Sequence, residues 1–132
     1  MSQYIARGEV DPSEIAQYIS YGADISDAGV YFGGNRFCIV FNGWFILNRA
    51  ATKSWDVFHI FTMKHAHYGR QYGICIKSST RSAFILDFNW TIDNDSTSDN
   101  YIAMWGNGGT YSDIKSGDRF TFTITFAPSS WI

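Results

Sequence analysis

The chain has 132 residues, of which 45% are hydrophobic, 18% aromatic and only 17% charged, with 10 Lys and Arg against 12 Asp and Glu. That length fits one domain with a substantial core, and the composition excludes both a disordered chain and a coiled coil. A net charge of −2 argues against general nucleic-acid binding, which rests on neutralising phosphates.

The first 28 residues differ from the rest. Asp11-Pro12-Ser13-Glu14 reads as a helix start, with Asp as the cap, Pro at the first helical position and Glu three residues beyond the cap. The spacing predicts a short helix to about Tyr21, with Ile15, Tyr18 and Ile19 on one face and Gly22 as its stop. Such a helix is too short to stand alone. Residues 1–28 are therefore expected to be an anchoring or oligomer-contact segment that uses Ile15, Tyr18 and Ile19, ahead of a β domain over 29–132.

From Val30 onward the pattern is strands and turns, at 30–32, 36–41, 44–48, 57–63, 71–77, 83–92 and 101–105. Asn42-Gly43 lies between two apolar runs. It reads either as a hairpin turn or as a bulge in one long bent strand. The last strand is the clearest: over 119–126, Phe120, Phe122, Ile124 and Phe126 alternate with Thr121, Thr123 and Thr125. Seven or eight short strands with turns between them predict an all-β fold, an antiparallel β-sandwich of jelly-roll type with a short N-terminal helix. Cys38 and Cys75 fall inside apolar runs and are expected as buried free thiols, with a cross-strand disulfide as the alternative. The N-terminus lacks the apolar core of a signal peptide. The longest apolar stretch, 37–47, is broken by Asn42 and Gly43 and is far short of the roughly 20 residues of a membrane span.

Charge alternates along the chain: residues 1–48 carry net −3, residues 49–81 net +5 with all three His, and residues 82–132 net −4. Such a pattern can attract copies of the chain to one another or to a partner of mixed charge. His65-Ala66-His67, flanked by Lys64, Tyr68 and Arg70, reads as a cationic, aromatic-bearing loop tip and a candidate contact site. His59 could join the pair on a metal, but no Cys or carboxylate lies nearby at ligand spacing, so neither a metal nor another cofactor is expected. The oxygen-rich run at 93–99 fails the EF-hand calcium pattern, because Ser98 replaces the central Gly and Met104 the final Glu. The loop from Trp105 to Asp113 is the strongest ligand candidate. Its glycines expose backbone donors, Trp105 and Tyr111 offer flat faces, and Asn107 and Asp113 can hydrogen-bond hydroxyls, the combination that holds a sugar in a shallow site. No GxSxG elbow is present and neither Cys sits at a helix N-terminus, so the expectation is a binding protein and not an enzyme.

Three further stretches, Gly34-Asn35-Arg36, Asn42-Gly43-Trp44-Phe45 and Trp55-Asp56-Val57-Phe58, precede the closing turn Ser116-Gly117-Asp118 and the Thr/aromatic strand. This layout, over about three quarters of the chain, resembles the C-terminal head modules of bacteriophage tail fibres and receptor-binding proteins. The resemblance implies a virion protein: a β-sandwich head, often trimeric, that binds a host-surface saccharide or protein. Only about 28 residues precede the β region, where fibre heads follow a long shaft. That points to a small attachment or decoration protein held to other virion proteins by its N-terminal segment. A free-standing lectin is the alternative, and an enzyme using His59, His65 and His67 with a metal the third reading.

Overall fold

A computed structural model of the chain describes residues 19–35, 38–63, 71–90, 100–106 and 108–126. They form eight strands: β1 (Ile19–Tyr21), β2 (Ile25–Asn35), β3 (Cys38–Leu47), β4 (Val57–Met63), β5 (Gln71–Lys77), β6 (Ala83–Trp90), β7 (Asn100–Trp105) and β8 (Arg119–Phe126). A 3-10 helix, Gly108–Asp113, lies between β7 and β8. The all-β expectation holds. Where the sequence predicts two packed sheets, all eight strands belong to one antiparallel sheet in the order β1-β4-β7-β6-β5-β8-β3-β2. Strands β5, β6 and β7 form a meander and β8 returns beside β5, which is a Greek key.

The sheet curls into a nearly closed barrel because its two edge strands are consecutive in the chain. Ile19–Tyr21 pairs with β4 and Ile25–Asn35 pairs with β3, so one segment serves both edges. The corner between them stays on β4: the N–H of Gly22 donates to the Ile60 carbonyl at 2.8 Å, and that of Asp24 to the His59 carbonyl at 3.2 Å. The Tyr21 hydroxyl bridges the seam, donating to the Ala28 carbonyl at 3.0 Å and accepting from the Ala28 N–H at 3.2 Å. Local helix signals lose here to sheet pairing: Ile19–Tyr21, the end of the expected helix, is strand, and Ile25 belongs to the core. Residues 11–18, with Ile15 and Tyr18, lie outside the described residues.

The core is aromatic. Phe45 stacks on Phe120 at 5.3 Å, and Phe122 meets Phe41 edge-on at 5.0 Å. Each buried Phe contributes on the order of 2 kcal/mol by leaving water. The alternation in β8 reads out as expected, with Phe120, Phe122 and Ile124 buried and Thr121, Thr123 and Thr125 exposed. In β4 the register slips between His59 and Phe61, which pair with Ala103 and Ile102. The extra residue turns Ile60 inward with its neighbour, so Phe58, Ile60 and Phe61 all reach the core.

Asn42-Gly43 is not a hairpin. β3 runs through it unbroken, paired with β2 on one side and β8 on the other. Gly43 has φ 152°, and a Cβ there would collide with the Gly29 carbonyl oxygen of β2. The reading as one long strand is therefore the right one, but without a bulge, since the register stays continuous through Gly43 on both sides, and glycine is needed for close approach. Cys75 is a free thiol inside the barrel, and burial pushes its pKa upward. Among the described residues no helix is long and apolar enough to cross a membrane.

Two consequences can be measured. Gly43→Ala is expected to lower stability by about 2–4 kcal/mol in urea denaturation, because the clash is with backbone that cannot step aside. An unchanged midpoint would remove the close-approach argument. A chain shortened to begin at Ala28 loses β1, Ile25 and the corner, and its thermal unfolding should no longer be cooperative. If it melts as sharply as the full chain, the closing segment is dispensable.

Candidate functional site

Four connections meet at one end of the barrel: the corner 22–24, the segments 48–56 and 78–82, and the connection from β7 to β8 with Gly106 and residues 108–118. Each is pinned by polar contacts. Arg49 is the hub. Its Nε donates to Asp24 Oδ1 and its Nη1 to Asp56 Oδ2, both at 2.8 Å, and its Nη2 donates to the Val57 carbonyl at 3.0 Å. The guanidinium lies over the Phe58 ring, 4.1 Å from its centroid. Asp24 also accepts the His59 N–H at 2.8 Å. Asp56 also accepts the N–H and the hydroxyl of Thr52, at 3.0 and 3.2 Å. Burial alone would raise the Asp56 pKa, but the Arg49 and Thr52 hydrogen bonds and the Arg49 charge outweigh it and bring the carboxyl to about 2.

The remaining segments lock onto this hub. The N–H of Gly106 donates to the Asp56 carbonyl at 2.7 Å, and that of Ala51 to the Ile114 carbonyl at 3.2 Å. Ile114 is buried in the core cluster and plugs the barrel end. Lys77 points inward from β5 and is almost fully buried. Its Nζ donates to the Asp113 carbonyl at 2.6 Å and pairs with Asp118 Oδ2 at 3.1 Å.

On this fixed rim stands Trp55, 53% exposed and with φ 59°. A bulky residue in that left-handed conformation costs on the order of 1–3 kcal/mol and persists only where its surroundings impose it. Here the imposition comes from Asp56, the next residue, which is turned inward and held from three sides. The strand registers place the neighbours. Val57 pairs with Trp105, and Trp105 with Ile85. The connection carrying Trp55 therefore borders the one carrying the 3-10 helix, which in turn borders the turn at 78–82. Arg81, in that turn, is the second non-glycine residue with positive φ, at 61°.

The sequence-predicted site residues are dispersed. Trp105 is half-buried at the end of β7, and its indole N–H donates to Asp87 Oδ2 at 3.2 Å. Tyr111 and Asp113 fall in the 3-10 helix. There the Tyr111 carbonyl accepts the Ile114 N–H and the Asp113 carbonyl accepts Lys77, both structural duties. Asn107, His65, His67, Tyr68 and Arg70 lie outside the described residues. Ile19 opens β1, opposite Met63. His59 stacks on Tyr101 at 4.9 Å. Among the described residues no group of three or more His, Cys, Asp or Glu could hold a metal. Sequence reading missed Trp55 as a rim residue, although Trp followed by Asp just before an apolar strand is a visible signal. It could not have found the Arg49 hub, whose partners are remote in sequence.

Comparison of the chain with protein-family models, curated proteins and solved structures finds no match. The likeness to fibre heads rests on the sequence motifs alone.

The Asp56 carboxyl ionises near pH 2 in the fold, against an ordinary 3.8. The folded state therefore binds that proton less tightly than the unfolded chain. Its contribution, on the order of 2 kcal/mol, is complete above pH 3.8 and fades as the pH falls through 2. Urea denaturation of the native chain and of Asp56→Asn should show a stability gap at pH 6 that closes towards pH 2. A gap that stays constant would mean that ionisation of Asp56 contributes nothing.

Proposed function

We propose that this protein is a recognition module and not an enzyme: a small fibre-head or decoration module of a bacteriophage virion that assembles as a homotrimer. It binds a host-surface saccharide or protein, and the N-terminal residues ahead of β1 contact other virion proteins. The observation that carries this reading is the outer face of β5 and β6. Tyr72, Ile74 and Ile85 are 63%, 57% and 39% exposed there, and Ile74 stands directly opposite Ile85 across the hairpin. β8 continues the face with its exposed threonines, Thr123 pairing with Ile74. A contiguous apolar area of this kind, on a chain with few charges, suits contact with further copies of itself. The motif resemblance to trimeric fibre heads points the same way. A second reading, a free-standing lectin, is favoured by the exposed Trp55 and needs no assembly.

Light scattering on the full chain separates the two. The virion reading expects three times the 15.0 kDa of one chain. It also expects the double variant Ile74→Lys, Ile85→Lys to fall to monomer with its thermal midpoint nearly unchanged, since both side chains point away from the core. A native chain that is monomeric at micromolar concentration would defeat the assembly and leave the lectin.

A further inference from the structure

We infer that Trp55 is the stacking platform of a saccharide site on the fixed rim of the barrel, an inference that rests on the recognition-module reading and gives it a location. Its backbone is held, so the indole projects from a fixed point. The backbone is locked in the left-handed region, and the following residue is clamped by Arg49, Thr52 and Gly106. A platform fixed before the ligand arrives loses little freedom on binding. The surroundings choose the ligand class. Thr52, Lys53 and Ser54, the residues leading to Trp55, are all exposed and offer hydroxyl and ammonium groups. Of the other large exposed apolar side chains, Tyr72, Ile74 and Ile85 lie on the strands β5 and β6, Tyr31 on β2, and Tyr21 at the end of β1, where its hydroxyl is already bonded to Ala28. A protein hot spot wants an apolar pocket ringed by further contacts. One flat ring among hydroxyls and amines suits a ligand that presents a C–H face and a rim of hydroxyls, which is a pyranose. The segment with Tyr111 and Asp113 borders this loop, the turn with Arg81 lies next beyond it, and together they extend the site towards a longer glycan.

The test uses the full chain on an immobilised panel of mono- to hexasaccharides that includes bacterial lipopolysaccharide cores, with Trp55→Ala, Trp55→Tyr and Trp55→Gly beside the native protein. The native chain is expected to bind at least one member. Trp55→Ala should weaken that binding at least about tenfold, and Trp55→Tyr, which keeps a flat ring, should stay within about threefold. Trp55→Gly should lose binding without a lower melting temperature, because glycine relieves the left-handed backbone; a purely structural Trp55 would show the opposite pair. If the native chain binds a glycan and Trp55→Ala binds it equally, the platform lies elsewhere and the module reading survives. If the native chain binds no saccharide, this inference falls together with the saccharide arm of that reading, and a protein receptor remains.

Discussion

The fold depends on how an eight-stranded sheet disposes of its two edges. An open edge offers unpaired N–H and C=O groups to any passing strand. Here both edges belong to one stretch of chain, which must turn within three residues from pairing with β4 to pairing with β3. Arg49 holds that turn. It grips Asp24 in the corner and Asp56 at the start of β4, and it lies between them over Phe58. The ion pairs are partly sheltered, so their net gain over hydrated charges is modest. Their importance lies in what would follow their loss: two carboxylates without their cation, a freed corner and an opened seam.

The same hub gives the barrel a rigid end. Asp56 is at once Arg49's partner, the acceptor of the Thr52 N–H and the anchor of Gly106. Asp56 therefore couples two connections directly, Arg49 adds the corner at Asp24, and the strain at Trp55 is the local consequence. A recognition surface built on such a rim inherits its geometry from the core and not from flexible loops. Closure of the sheet and presentation of the indole are two results of one polar cluster.

How much of this the sequence displays depends on the range of the interaction. The β8 alternation is legible because each side chain answers to its nearest face, and period two survives translation into a sheet. The bulge at Ile60 is illegible, because an extra residue breaks the period where burial is greatest. Asn42-Gly43 misleads as a hairpin because the signal is local, whereas β3 is fixed by partners on both sides. The helix expected up to Tyr21 fails at its end for the same reason: strand pairing with β4 outweighs a weak local preference. The Arg49 cluster joins residues 25 and 7 positions apart, and nothing in their spacing announces it. Trp105 is visible as an aromatic beside glycines, but its indole is committed to Asp87.

Lys77 shows the same principle from within a strand. Alternation sends Cys75 and Lys77 to the inside of the barrel, a placement that would strand a charge if β5 were longer. β5 ends at Lys77, so its ammonium emerges at the barrel mouth, where the Asp113 carbonyl and the Asp118 carboxylate receive it. A buried lysine with both partners stabilises the segment that supplies them, since removing either would leave a charge with nowhere to go. Asp118 also accepts the Lys115 N–H, and its own carbonyl accepts the Leu47 N–H of β3. The charge thus ties the connection ahead of β8 to both its neighbouring strands. With Arg49 on one side of the rim and Lys77 on the other, two cations from the positively charged middle of the chain hold acids from both flanking segments. The alternation of charge along the sequence, which could have signalled attraction between molecules, is spent in part within one.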